Sequence, residues 1–301
     1  MASGLVLIDK PKGWTSHDVV AKMRGIAGTR GVGHAGTLDP MATGLLLLGI
    51  NAGTKLLTFL VGATKTYEAT IRLGASTITD DAEGEVTSTA DGSAVDALTL
   101  EKIESALNAL RGEIMQVPSS VSAIKVDGER AYAKVRGGDE VKLAARPITV
   151  SRFEVTSDIR LVSDGDSKFV DFDAVIECSS GTYIRALARD LGSALQVGGH
   201  LTALRRTRIG TYKIEDAQQL DGLSSDSLSV TSMFEAVKES FELRELSDLE
   251  VIDLRHGKRI SANDCVGKEI AGVNGQRLIA MLEKADSQLK SSVVFVEDSH
   301  D

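Results

Sequence analysis

The sequence predicts an α+β fold, a mixed and largely antiparallel sheet with flanking helices, followed by a small β-rich C-terminal domain. Three observations carry this. Residues 65–73 alternate Tyr67, Ala69, Ile71 and Leu73 at the period of a half-buried strand, whereas residues 99–110 place Leu100, Ile103, Leu107 and Leu110 on one helical stripe. The strand-like and helix-like segments do not follow the regular βαβ alternation that builds a parallel sheet. Past a polar, Ser/Asp-rich stretch at 220–232, short apolar segments separated by turn residues run from 246 to 296. A larger domain is therefore expected at 1–225 and a smaller one at 232–301, and 301 residues suffice for both cores.

Taken in order, residues 4–9 read as a short buried strand. Ser16 is placed to cap a helix with Val19, Val20, Met23 and Ile26 on one face and Gly28 as its stop. A glycine-rich loop is expected at 29–44, an apolar run at 45–50 and a helix at 54–61. The acidic stretch 79–85 reads as a solvated loop, and Thr99 opens the next helix. Strand-like segments follow at 122–126, 140–143 and 148–156, then a hairpin turn at 163–167 with 169–178 returning. Thr182 is expected to cap a helix to about Leu195. Residues 201–210 form another strand with basic residues interleaved, and 220–232 serves as a linker.

Composition excludes several classes. No apolar run approaches the roughly 18 residues of a membrane span, and residues 1–13 lack the basic start, apolar centre and small-residue site of a signal peptide. Cys178 and Cys265 lie far apart and form no metal-ligand pattern, so a reduced, cytoplasmic protein is expected. The net charge of −9 is unevenly spread: residues 77–104 hold 8 acids and 1 base, and 215–253 hold 11 acids and 2 bases, but 181–213 reverses to 6 bases and 1 acid. A phosphate backbone responds to the field within about 8–10 Å, so a basic strip on an acidic body is compatible with RNA.

The most informative segment is Gly33-His34-Ala35-Gly36-Thr37-Leu38-Asp39-Pro40-Met41-Ala42-Thr43-Gly44. Residues 31–36 match the spacing of a dinucleotide fingerprint, but that motif needs a strand before it and a helix behind it. Here a helical segment precedes it, and Asp39-Pro40 interrupts the position where the helix should open. Glycines allow positive φ and close approach to a ligand, and Pro40 biases Asp39 toward an extended conformation. A carboxylate on a stiff turn suits a nucleophile or a base. Asp-Pro taken alone reads as a turn, and the pair by itself does not make Asp39 catalytic.

The whole string, however, resembles the signature loop of the TruB family of pseudouridine synthases, GHxGxLDPxAxGxL. Gly33, His34, Gly36, Leu38, Asp39, Pro40, Ala42, Gly44 and Leu46 all fall on it. Lys10-Pro11-Lys12-Gly13-Trp14-Thr15-Ser16 resembles the family's KPxGxTS box, and Lys65-Thr66-Tyr67 its second motif. Residues 118–136 resemble its PPxYSAxKxxGxxxYxxAR stretch, Gly181-Thr182-Tyr183-Ile184-Arg185 its GTYIR motif, and Leu204-Arg205-Arg206 its LRR. The resemblance spans residues 4–210.

What it implies is isomerisation of the T-loop uridine at position 55 of tRNA, by base flipping, with no metal and no other cofactor. Asp39 would be the catalytic carboxylate, Arg185 its ion-pair partner, and Tyr67 the ring that stacks on the target base and accepts the C5 proton. Tyr183 and Leu204 would line the base pocket, and His34 would fill the gap left by the everted nucleotide. Lys10 would shape the site, while Arg205, Arg206 and Arg208, with Lys125 and Arg130, would meet phosphates, which orient rather than identify the substrate. The chain departs from the pattern at Val121, where the family has tyrosine, and at Val117, where it has proline. The C-terminal piece, with Leu254-Arg255-His256-Gly257-Lys258-Arg259, resembles a PUA-like RNA-binding module. A monomer bound to the T-arm of tRNA, without an obligatory protein partner or a membrane, is expected. The alternatives are a guide-RNA-dependent paralogue and an RNA chaperone that folds tRNA.

Overall fold

A computed structural model of the chain describes residues 3–119, 125–126, 129–130 and 143–295. Strand β1 (Gly4–Lys10) is apolar and buried over most of its length. Helix α1 (Ser16–Ala27) is capped by Thr15, not by Ser16. The Thr15 hydroxyl accepts from the Asp18 N–H while the Asp18 carboxylate accepts from the Thr15 N–H, a reciprocal cap, and the helix stops at Gly28 with φ 59°. Strands β2 (Val32–Ala35) and β3 (Thr43–Ile50) are antiparallel, so the expected loop at 29–44 contains a strand and overlaps the start of another. Helix α2 (Gly53–Leu60) leads to β4 (Lys65–Leu73), whose odd-numbered residues are buried as the alternation predicts.

Strands β5 (Ala75–Thr77) and β6 (Val86–Thr89) form a hairpin around the acidic turn. Helix α3 (Gly92–Asp96) is short, and α4 (Leu100–Leu107) is capped by Thr99 and buries Ile103 and Leu107. Next come β7 (Gly112–Gln116), the two-residue pair β8 (Lys125–Val126) and β9 (Glu129–Arg130), and β10 (Arg146–Val155). The expected hairpin joins β11 (Arg160–Asp164) to β12 (Ser167–Cys178). Helix α5 (Ile184–Ala194) has Tyr183 as its N-cap, without a side-chain cap, because the Thr182 hydroxyl donates to the Ser179 carbonyl instead. Strand β13 (Gly199–Ile209) follows, then β14 (Tyr212–Lys213), β15 (Gln218–Gln219), β16 (Thr231–Ser232), α6 (Met233–Lys238), β17 (Glu242–Glu245), α7 (Asp248–Arg255), β18 (Ile260–Ser261), β19 (Glu269–Asn274), β20 (Arg277–Ala285) and β21 (Gln288–Val294).

The chain forms two compact units, which cut it differently from the 1–225 and 232–301 expected from composition. One comprises Met1–Pro40, Leu45–Gly62 and Gly210–Asp301. In it β1 lies between β15, to which it is parallel, and β3. Val19, Val20, Met23 and Ala27 of α1 cover that sheet through Val6, Ile8, Leu46, Leu48 and Ile50. The 220–232 stretch is not a loose linker: Leu220 is buried in this core and Leu223, Leu228 and Val230 pack on it. The same unit holds a five-stranded sheet in the order β17-β19-β20-β21-β18 with its own core, including Leu246, Leu254, Ile270, Leu282 and Leu289. That sheet is the small β-rich region the sequence predicts.

The other unit comprises Met41–Gly44 and Ala63–Ile209. Its strands run β13-β4-β12-β10-β7, every neighbouring pair antiparallel, and the first two residues of β3 add to β13 in parallel. Helix α5 packs against β13. The acidic stretch 79–85 is solvated only in part: Glu83 and Glu85 are exposed, but Asp80 and Asp81 are both buried.

Candidate active site

Asp39 lies on the connection between β2 and β3, in the first unit. Its neighbours Leu38, Met41 and Ala42 are buried, whereas Asp39 itself is half-buried and Pro40 is exposed. The chain is held on both sides of it. Before it, the buried Ser16 hydroxyl accepts from the Leu38 N–H at 2.9 Å and donates to the Leu38 carbonyl at 3.2 Å. After it, the Pro40 carbonyl accepts from the Gly13 N–H at 2.8 Å and from the Lys10 ammonium at 3.4 Å. Lys10 is fully buried and also donates to the Trp14 carbonyl at 2.7 Å and the Pro11 carbonyl at 3.0 Å. Burying an ammonium is costly unless it is hydrogen-bonded. Two of these carbonyls, of Pro11 and Trp14, belong to the segment that grips the Asp39 loop, and the third, of Pro40, to the loop itself. The box at 10–16 is thus the clamp of the loop at 36–42. Ser16 escapes notice as a site residue in the sequence because it looks like a helix cap. His34, on β2 opposite Leu48, meets His17 edge to face, with ring centroids 5.4 Å apart and planes at 83°.

The second unit presents the remaining residues. On β4, Tyr67 is buried and lies opposite Ile176 of β12 and Arg206 of β13. Leu204, also buried, is opposite Ala69. Lys65, two residues before Tyr67, donates to the Ala63 carbonyl, and burial beside Arg206 pushes its ammonium down to about 8. Opposite it, burial pushes the Cys178 thiol up to about 11. Gln116, another residue the sequence does not flag, grips Tyr183: its amide donates to the Tyr183 carbonyl at 3.0 Å and accepts from the Tyr183 N–H at 2.9 Å. Tyr183 itself stays half-exposed just ahead of α5. Arg185, in the first turn, is 5% exposed, donates to the Thr79 carbonyl at 2.7 Å and faces the Asp81 carboxylate at 3.5 Å. The other oxygen of Asp81 accepts from the Thr79 hydroxyl and the Glu83 N–H. Where β3 begins, Gly44 adopts φ 101°, and a Cβ there would lie 2.3 Å from the Arg206 carbonyl oxygen.

Residues 24–184 match the TruB family pseudouridylate synthase N-terminal domain, and residues 185–246 match the tRNA pseudouridylate synthase B C-terminal domain. The chain belongs to the TruB family. It is 55% identical over 304 aligned residues to a protein of Arthrobacter sp. (strain FB24) named tRNA pseudouridine synthase B, covering 98% of this chain and 97% of the relative. Among solved structures it is similar to a chain of an H/ACA ribonucleoprotein bound to a substrate RNA, with a TM-score of 0.71 and 24% identity over 97% of this chain and 85% of that one. A Cbf5–Nop10–Gar1 complex contributes another, with a TM-score of 0.70 and 26% identity over the same shares. These neighbours agree with the mixed, largely antiparallel architecture described above.

The TruB-type motifs therefore fall on two sets of residues. Lys10, His34 and Asp39 belong to the first unit, and Tyr67, Tyr183, Arg185, Leu204, Arg205 and Arg206 to the second. Arg206 corrects an expectation: it is 1% exposed, and a guanidinium buried to that degree is not available to a phosphate on the surface. Arg208 is only partly exposed and is paired with Glu177 at 2.6 Å, while Arg205 is half-buried and donates to the Thr43 hydroxyl at 3.4 Å. Val121 and most of the 118–136 stretch lie outside the described residues, as do the side chains of Lys125 and Arg130. Among the described residues no helix is long and apolar enough to cross a membrane, and no cluster of His, Cys, Asp and Glu has metal-binding proximity.

Proposed function

We propose that this pseudouridine synthase acts on tRNA and converts uridine 55 of the T-loop to pseudouridine, with Asp39 as its catalytic carboxylate and without a cofactor. The clamp on both flanks of Asp39 is the observation that carries the reading. The buried Ser16 hydroxyl holds the backbone at Leu38 on one side of Asp39, and the buried Lys10 ammonium reaches the Pro40 carbonyl on the other, in a loop whose one acid is half-exposed. Holding a reactive group in place before the substrate arrives is a main source of rate enhancement.

The isomerisation breaks the bond between C1′ of the ribose and N1 of uracil, joins C1′ to C5, and moves a proton from C5 to solvent while N1 gains one. Atoms and charge balance without any added group. Asp39 supplies the carboxylate, Arg185 is the cation that serves it, and Tyr67 stacks on the everted base and receives the C5 proton. Tyr183 and Leu204 line the base site, and His34 occupies the place the base leaves, since a stacked ring recovers roughly 1–3 kcal/mol of the flipping cost. Lys10 shapes the loop, and Arg205 is the remaining half-exposed candidate of the 204–206 motif for a phosphate. The relatives' shared name supports tRNA as substrate. We extend the reading to a monomer in the cytoplasm that needs no protein partner, with the C-terminal sheet as a PUA-like RNA-binding module.

The test is turnover on a bare T-arm stem-loop by the wild type, Asp39→Asn and Tyr67→Leu. Asp39→Asn should bind the RNA nearly as well and form no product, and Tyr67→Leu should lose rate more than affinity. Retained turnover by Asp39→Asn would overturn the assignment. No turnover by the wild type without added guide RNA or protein would favour the guide-dependent reading, and refolding of tRNA indifferent to Asp39 would favour a chaperone.

A further inference from the structure

Two aspartates and two arginines form a paired set in the second unit. Asp80 and Asp81 are neighbours in the turn after β5, and Arg185 and Arg189 are one turn apart on α5, where side chains four residues apart share a face. Asp81 faces Arg185 at 3.5 Å and Asp80 pairs with Arg189 at 3.2 Å. The aspartate side chains are only 6% and 10% exposed. Asp80 also adopts a positive φ of 59°, uncommon for a residue with a side chain, so its backbone is held where the local preference opposes it. Arg189 makes further bonds, to the Val117 carbonyl at 2.7 Å and to Asp190 at 2.9 Å. It therefore ties together the acidic turn, the start of the segment after β7 and helix α5. Burial pushes the Asp80 carboxyl up, opposed by the Ser119 hydroxyl and the charges of Arg189 and Arg185 and assisted by Asp190.

A buried carboxylate next to Asp81 needs a cation, and besides Arg189 the cation whose charge acts on Asp80 is Arg185. We propose that Arg189 is a positioning residue that holds Asp80 away from Arg185, so that Arg185 keeps the orientation its role requires. The inference rests on the assignment of Arg185 to the reaction. Arg189 acts only through its neighbours, and its role follows from charge competition rather than from tethering.

The two roles separate by rescue. In single-turnover assays on a T-arm stem-loop, Arg189→Met should slow product formation about tenfold or more, with RNA affinity changed less than about twofold, the size expected for coupled neighbours. Asp80→Asn alone should stay within about threefold of wild type, and Asp80→Asn combined with Arg189→Met should return to that level, because the competing charge is gone. Arg189→Lys, which keeps the charge, should retain most of the rate. A double variant as slow as Arg189→Met would overturn the proposal and leave Arg189 a tether to Val117. Should Arg189→Met fail to fold, the double variant still decides: it should be soluble and active, and an inactive one sinks the idea. Arg185→Met is run in parallel. If it is fully active the assignment of Arg185 itself fails, whereas an inactive Arg185→Met beside a fully active Arg189→Met refutes only the inference.

Discussion

Replacing Ser16 by Ala removes one hydroxyl, and what it does to Asp39 can be worked out from the loop. The Ser16 side chain is fully buried and satisfies both the N–H and the carbonyl of Leu38, itself 3% exposed. A buried backbone group left without a partner costs about 1–3 kcal/mol, so two cost about 2–6 kcal/mol unless the loop shifts to reach other partners. Either outcome is measurable. If the loop stays, the loss appears as stability, and at ~2–4 °C per kcal/mol the melting temperature falls by about 4–24 °C. If the loop shifts to recover its bonds, Asp39 moves with it, and a displacement of ~1 Å costs about a hundredfold in rate. The expected result combines both: a melting point lowered by several degrees and a single-turnover rate lowered about 10- to 100-fold. RNA affinity should change less than about twofold, because a fully buried hydroxyl does not meet substrate. Rate is followed by release of tritium from RNA labelled at uridine C5, affinity by filter binding and stability by circular dichroism. A Ser16→Ala enzyme that is less stable but turns over at the wild-type rate would refute the link between this clamp and catalysis.

Lys10→Met removes the ammonium shared by Pro11, Trp14 and Pro40 and should lower the rate with little change in RNA affinity; since Trp14 is the chain's single tryptophan, a shift in intrinsic fluorescence should report the loosened box, and an unchanged spectrum with full activity would count against it. Gly44→Ala places a Cβ 2.3 Å from the Arg206 carbonyl oxygen at a φ of 101°, so urea unfolding should show a loss of more than about 3 kcal/mol, and a wild-type midpoint would contradict the packing. Lys65 carries a pH signature. Its folded value is depressed to about 8 from 10.5, so between those pH values the unfolded chain binds the extra proton and stability rises with pH, at up to about 1.4 kcal/mol per unit. Below about pH 8 the penalty of charging a buried amine is fully present, and Lys65→Met should remove the rise between pH 8 and 10.5, which denaturant titrations at several pH values would reveal.

How much of this is legible in the residues depends on how local the cause is. Strand β4 is readable because its alternation is a property of nine consecutive side chains, and its burial follows the pattern residue by residue. The Asp39 loop is readable because its glycines, proline and acid form one contiguous string. Ser16 is not, since Thr15 and Ser16 are chemically interchangeable as caps. The choice is made by Asp18, three residues after Thr15, which leaves the Ser16 hydroxyl free for a partner 22 residues away. The acidic turn looks solvated in the sequence for the same kind of reason: the cations that bury it lie 106 and 109 residues downstream, on α5. Arg206 fails differently. A period-2 reading assigns faces by parity, and β13 carries register shifts between Leu201 and Ala203 and between Arg206 and Arg208. Each bulge shifts the parity of everything beyond it. A run of three arginines within four positions therefore looks like a basic strip while one of them faces the interior opposite Tyr67. The consequence reaches the chemistry. A buried Arg206 beside Lys65 and Tyr67 places two cationic side chains along the strands that carry the proposed base-stacking ring. Under the proposed function, phosphate contacts fall to residues other than Arg206, with Arg205 the first to replace.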